Sequence, residues 1–384
     1  MRIAIFGGSF DPTHNEHVHF AETAVSALGL DKLFVMPAHA PPHKKGKILS
    51  SDYHRLQMCR LAFENTPRVE VSDYEIAQGG YSYTYLTCQY FRRCYPMAEI
   101  FWLVGTDMLR DFPTWKNPKE ILSCVTLAVC GRNEAEGWVK KEQEDFVGKF
   151  GKEFVYVPYN GLDVSSTKIR VLAGAGMRLN KYLPEKVEAY ICENGLYKIE
   201  NADKALALEK ESRSAHSIRV AELAAARSLK LGISEKQAIT AALFHDCAKN
   251  LPSDSPLLQG FSLQEEWGDV PSSVYHQYAG AYVAEKYFSV QDEEILDAIR
   301  YHTSGREDMG KLEQLIFLAD MLEEERNYGG VEILRELFWK GDSLEVCLTE
   351  TLRQTLEFLK EKKAEIYPLT QKAYEFYEKK NKKR

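Results

Sequence analysis

The sequence predicts an α/β domain built on a parallel sheet, followed by an all-α domain. Three observations carry this. Six short β-rich runs alternate with helical patterns through the first half, and the strand signal stops near Tyr197 to Asp203. From Lys204 onward only amphipathic segments follow. With 384 residues the chain suits two cores better than one, here 1–198 and 204–384.

In chain order the β-rich runs are RIAIF, KLFVMPA, VEVSDYEI, EIFWLVG, VTLAVCG and EFVYVPY, each separated from the next by a helical pattern. Such alternation implies parallel strands with helices on both faces. In the second half, SIRVAELAAARSLKLG, EKQAITAALFHDCAK, DEEILDAIRYH and LEQLIFLADMLEEE repeat apolar residues at helical spacing. The basic end, YEKKNKKR, reads as a solvated terminus.

Composition excludes several classes. The chain is 45% hydrophobic and 27% charged, with a formal net charge of -7. That acidic balance argues against a nucleic-acid binder, which relies on many Lys and Arg contacts to phosphate. The eight cysteines show no CxxC spacing and are expected to be reduced. RIAIF runs straight into Gly7-Gly8 and is neither a signal peptide nor a membrane span, so a cytoplasmic enzyme of small-molecule chemistry is expected.

In IAIFGGSFDPTHNEHVHFAE a strand, a glycine turn and a helix follow one another. A helix N-terminus after such a turn is an anion site, because free N–H groups and the helix dipole point at one spot. His14 and His17 are three apart in the first helical turn, so their rings should lie side by side. Taken alone, the pair suits a phosphate, a metal ion or a plain surface. Gly105 and Asp107 follow the buried run EIFWLV, at the strand end where open α/β sheets bind ligands. Trp115 suits either stacking on a pyridine ring or core packing.

GGSFDPTHNEH and, about 150 residues later, SSTKIR resemble the GGTFDPxHxGH and ISSTxIR signatures of the nucleotidyltransferase superfamily. Within it, residues 1–198 are similar to bacterial nicotinate-nucleotide adenylyltransferase, through MPAHAPPHKK, GGYSYTYLT and LVGTDMLRDFPTWK. The resemblance implies a Rossmann-like fold that transfers AMP from ATP, carried with Mg2+, to nicotinate mononucleotide. It assigns Gly7, Gly8, Phe10, His14, His17, Lys44, Ser166, Thr167 and Arg170 to the nucleotide and its phosphates. It gives Asp107 and Arg132 to the nucleotide site with Gly105, and Thr84 and Trp115 to the acceptor. Glu16 stands where the family has glycine, which brings a carboxylate into the first turn beside the phosphates.

The second half carries four histidines, His216, His245, His276 and His302, each with apolar neighbours at helical spacing. His245 shares a face with Ala241 and Ala242, and His302 with Ile295, Ala298 and Ile299. Asp320 follows Ile316 by four and Leu312 by eight, and Asp246 adjoins His245. A lone buried histidine is most often a hydrogen-bonded core residue. Four of them with two carboxylates are satisfied together by metal, because a buried carboxylate needs a partner. Imidazole and carboxylate without thiolate suit iron, manganese, cobalt or zinc, and the ligand number suggests two ions.

The order His216, His245-Asp246, Asp320 resembles the H...HD...D signature of HD-domain phosphohydrolases. AHSIRVAELA, ALFHDCAKNLP, YHQYAGA, AIRYHTSGR and IFLADMLEEER are similar, in that order, to the bacterial YqeK family. The resemblance implies symmetrical hydrolysis of diadenosine tetraphosphate to two ADP at a dinuclear, iron-type centre. One ion would take His216, His245, Asp246 and Asp320, the other His276, His302 and Asp246. Lys249 would bond Asp246 or a phosphate, and Arg306 and Arg326 are either phosphate clamps or solvated surface. The alternatives are a nicotinamide mononucleotide or phosphopantetheine acceptor, another nucleotide in the HD domain, or a regulatory metal module. No membrane or nucleic-acid partner is expected, and a homo-oligomer stays open.

Overall fold

The computed structural model describes residues 1–41, 49–131, 135–161 and 164–382. The chain divides into two compact units. Leu49–Ile169 and Leu179–Leu196 belong with the N-terminal strand and helix, whereas Arg170–Arg178 belongs with the residues from Tyr197 onward.

Among the described residues of the first unit, six strands form one sheet: β1 (Arg2–Gly8), β2 (Lys32–Pro37), β3 (Val69–Val71), β4 (Glu99–Gly105), β5 (Thr126–Gly131) and β6 (Val155–Pro158). Every pairing is parallel and the order is β3-β2-β1-β4-β5-β6. Side chains alternate between the two faces, and both faces are covered at the inner strands β1, β2, β4 and β5, so these are apolar along most of their length. Ile3, Ile5, Trp102 and Val104 fill the core on one face, and Ala4, Phe101 and Leu103 fill the other. VEVSDYEI behaves differently from the expectation of one strand. Only Val69–Val71 is extended, and Tyr74–Gln78 is helical after Asp73.

Helices α1 (Asn15–Ala27), α2 (Asp52–Phe63), α3 (Tyr74–Gln78), α4 (Thr84–Cys94), α5 (Thr106–Asp111), α6 (Pro118–Cys124), α7 (Glu136–Phe150), α8 (Ser166–Gly174) and α9 (Glu185–Glu193) connect and follow the strands. The second unit is helical: α10 (Ala202–Leu206), α11 (Glu211–Leu231), α12 (Glu235–Phe244), α13 (Ser272–Phe288), α14 (Glu293–Arg300), α15 (Lys311–Leu322), α16 (Val331–Trp339), α17 (Glu345–Glu361) and α18 (Pro368–Lys382). α11 packs on α12. Both present buried alanines, Ala221, Ala224 and Ala225 on one and Ala238, Ala241 and Ala242 on the other, which let helix backbones approach closely. α12 ends at Phe244 and α14 at Arg300, so His245 and His302 lie past the helix ends rather than on helical faces. Among the described residues no helix is long and apolar enough to cross a membrane.

Candidate active sites

The first site lies where the strand order reverses, between the carboxyl ends of β1 and β4, the usual crevice for a nucleotide in such a sheet. Gly7 and Gly8 close β1, and side chains there would collide. A Cβ on Gly7 would stand 2.8 Å from the Trp102 ring, and one on Gly8 3.1 Å from the Phe10 ring. His14 is the N-cap of α1, and its backbone N–H donates to His17 Nδ1 at 3.1 Å. The two rings stack with centroids 3.7 Å apart, as the spacing predicts. Phe10, buried and with φ of 49°, sets its ring at 5.0 Å against His17.

Ser166 opens α8 and donates from Oγ to Pro12 O at 3.1 Å. That bond brings the SSTKIR segment onto the loop that carries the histidines. Thr167 follows in the same helical turn. Gly105 is the N-cap of α5, and Asp107, exposed in its first turn, approaches so closely that a Cβ on Gly105 would lie 2.6 Å from its Oδ1. Thr84 begins α4. Trp115 is half-buried, with its indole 5.3 Å from the Phe112 ring. Arg170 is bound differently from a free phosphate contact: it forms a two-bond pair with Glu235, at 2.7 and 2.6 Å. Glu16 is half-buried in the first turn of α1. Lys44 and Arg132 lie outside the described residues.

The second site gathers the buried histidines and acids. Ligand atoms of His216, His245 and Asp246, of His245, His302 and Asp320, and of Asp246, His276 and His302 lie within 4.8 Å of one another in each group. The last four carbonyls of a helix lack partners inside it, and two of the histidines use them. His245 Nδ1 donates to Ala242 O at 2.6 Å, and His302 Nδ1 donates to Ile299 O at 2.8 Å. Each bond leaves Nε2 as a lone pair aimed inward. His216 is held by a carboxylate instead, with Nδ1 3.0 Å from Glu323 Oε1 and Nε2 2.8 Å from Asp320 Oδ1.

The inward atoms suit a cation. His302 Nε2 lies 3.2 Å from His276 Nε2, and it faces Asp246 Oδ1 at 3.4 Å as acceptor against acceptor. His245 Nε2 and Asp246 Oδ1 are buried and have no hydrogen-bond partner among the described residues. Burial lowers His245 and His276 to about 4 despite the neighbouring Asp246, which keeps both imidazoles neutral and able to ligate at pH 7. These donors fit divalent metal.

Basic groups border the cluster. Lys249 Nζ is 2.8 Å from His276 Nε2 and 3.9 Å from Asp246 Oδ1, and burial lowers its pKa. Arg326 donates to Asp320 Oδ1 at 2.6 Å. Arg306 is engaged elsewhere, with Glu313 at 2.7 Å and Asp297 at 3.1 Å.

Residues 5–172 match the cytidylyltransferase-like family and residues 213–325 the HD domain family. A Mycoplasma genitalium protein described as a probable nicotinate-nucleotide adenylyltransferase/Ap4A hydrolase is 30% identical over 366 residues, 94% of this chain and 99% of that one. The chain belongs to this bifunctional adenylyltransferase and HD-hydrolase family. A probable nicotinate-nucleotide adenylyltransferase of Clostridium tetani is 37% identical over 199 residues, 51% of this chain and 98% of its own. A crystal structure of a predicted HD superfamily hydrolase involved in NAD metabolism, from Clostridium acetobutylicum, is 30% identical, with a TM-score of 0.42 over 46% of this chain and 97% of that one. The family joins a nucleotidyltransferase of NAD synthesis to a hydrolase, and its HD domain implies divalent metal.

Three residues in the sites of this family member escaped the sequence reading. Arg55, 1% exposed, donates to Ser9 O at 2.9 Å, Ser50 O at 3.1 Å and His39 O at 3.3 Å, which ties the Gly-Gly loop to the loop after β2. No local pattern announces it. Arg213, 3.1 Å from Asp246 Oδ2, precedes His216 by three, and Glu323 follows Asp320 by three, so helical spacing held a signal for both.

Proposed function

We propose that residues 1–198 transfer AMP from ATP to nicotinate mononucleotide, giving deamido-NAD and pyrophosphate. The observation that supports this reading is the Ser166 to Pro12 bond, which joins the two segments that resemble phosphate-binding signatures at the strand-order reversal. A phosphate oxygen of the acceptor attacks the α-phosphorus of ATP, and the bond to pyrophosphate breaks. No side chain acts as nucleophile. His14 and His17 stabilise the charge on the α-phosphate, helped by the amides of Gly7 and Gly8 and by Lys44. Ser166, Thr167 and Arg170 hold the outer phosphates, and Arg170 must exchange Glu235 for them. Phe10, Gly105, Asp107 and Arg132 shape the nucleotide site, and Thr84 and Trp115 hold the pyridine ring. Mg2+ accompanies ATP.

We propose that residues 204–384 hydrolyse diadenosine tetraphosphate to two ADP. The observation behind this is the convergence of Nε2 lone pairs on Asp246 and Asp320. His216, His245, Asp246 and Asp320 would hold one ion, and Asp246, His276 and His302 a second. This donor set suits iron, manganese, cobalt or zinc, and the resemblance to the HD-domain family favours iron. Two bound ions supply activation of water and neutralisation of phosphate charge. Lys249, Arg326 and Arg213 bind phosphate oxygens at the rim. Both reactions belong in the cytoplasm.

Nicotinate mononucleotide, nicotinamide mononucleotide and phosphopantetheine offered with ATP test the first half. Turnover confined to either of the latter overturns the choice of acceptor. For the second half, product analysis of metal-loaded protein with diadenosine tetraphosphate should show ADP alone. Intact substrate, or AMP with ATP, rejects that reading.

A further inference from the structure

Of the three histidines whose Nδ1 has a clear acceptor, two are steered by the carbonyls of their own helices, at 2.6 and 2.8 Å. His216 alone is steered by a carboxylate. Glu323 is 3% exposed and fully engaged: Oε1 accepts from His216 Nδ1 at 3.0 Å, while Oε2 accepts from Arg219 Nε at 2.6 Å and from the backbone N–H of Glu325 at 2.9 Å. Arg219 is itself anchored by Glu325 at 2.9 Å. The carboxylate therefore cannot swing away without giving up the bonds from a half-buried guanidinium and a backbone N–H.

A carboxylate behind an imidazole does two things that a carbonyl does only in part. It fixes the Nδ1–H tautomer, and it makes the opposite nitrogen a stronger electron-pair donor. We propose that Glu323 is a positioning residue that makes His216 the strongest imidazole donor of the cluster, so that the ion taken by His216, His245, Asp246 and Asp320 binds before and more tightly than the ion taken by Asp246, His276 and His302. The two sites are thus unequal by construction. Each side has a cation at its ligands, Lys249 Nζ 2.8 Å from His276 Nε2 and Arg326 2.6 Å from Asp320 Oδ1, so the acid behind His216 is what sets the two apart. This inference rests on the reading of the cluster as a metal centre.

Cobalt(II) titration of the metal-free full-length chain tests it, followed by chelator competition and by the visible absorption of the bound ion. Wild-type protein is expected to take up two ions in two resolved steps. Glu323→Leu should weaken the first step about 10- to 100-fold and change the absorption of the first ion, leaving the second step in place. Glu323→Gln, which keeps an acceptor but loses the charge, should fall between them. Thermal midpoints of the metal-free variants separate this effect from unfolding. Equal affinities in wild type and both variants overturn the role of Glu323, as does an equal loss at both steps. Wild-type protein that binds no cobalt overturns the metal centre itself, and this inference with it.

Discussion

The His14 and His17 rings stack at 3.7 Å and a backbone bond fixes His17, so on the proposed chemistry both are in place before charge develops. Little reorganisation is left for the moment of reaction. On the proposed chemistry, His14→Ala should lower kcat for adenylyl transfer by about 100- to 1,000-fold, the usual cost of losing one preorganised donor. Steady-state kinetics with saturating ATP check this, and an unchanged kcat rejects the role. Glu75 offers a pH test in the same unit. Burial raises its carboxyl above 4.5, although the Thr87 and Ser82 hydroxyls oppose the shift. A raised folded-state value means that the stability gained from the protonated form is complete below 4.5 and is lost as pH climbs through the raised value. Glu75→Gln should therefore match wild type in acid and gain in melting midpoint as pH rises toward neutrality. Parallel curves from pH 4 to 7 contradict this. At this scale the sequence was informative about residue types and poor about their partners. His14 and His17 were legible because three residues of helix separate them, whereas Arg55 meets Ser9 from 46 residues away, a distance no local pattern encodes.

Strands and helix ends fix where these side chains point. All six strands were legible from alternation because both faces of a parallel sheet are apolar, and the misreading at VEVSDYEI has a local cause. Asp73 begins a short helix after only three extended residues, which the alternation of apolar and polar residues across VEVSDYEI conceals. The sequence picked out His245 and His302 as candidate ligands but gave no sign that they follow helix ends. Periodicity continues through both, and only the bonds to Ala242 O and Ile299 O show that each helix has stopped. The C-terminal end of β1 supplies a prediction about packing. Gly7→Ala sets a methyl 2.8 Å from the Trp102 ring, and overpacking of that kind costs about 1–3 kcal/mol. Urea unfolding should show the loss, and a midpoint equal to wild type would mean that the ring yields freely.

Two separate cores, one on the faces of a sheet and one among helices, lead to separable chemistry in the whole molecule. On the proposed functions, His245→Ala should abolish hydrolysis of diadenosine tetraphosphate and leave adenylyl transfer within about twofold of wild type, since the candidate ligand set lies wholly in the second unit. Parallel assays of one preparation decide it. Loss of both activities would show that the metal centre also supports the transferase. Metal removal should likewise lower the melting midpoint of the loaded protein, because an ion that binds only the folded state stabilises by mass action. No shift on chelation counts against a centre formed by folding. The sheet order bears on how such a chain is made. β1 is made before the other described strands of its sheet yet lies inside it, and its neighbour on one side, β4, begins only at Glu99. At roughly 5–20 residues per second, that flank of the nascent strand waits on the order of 5–20 s for its mate, an interval in which its unpaired edge is open to a stray strand.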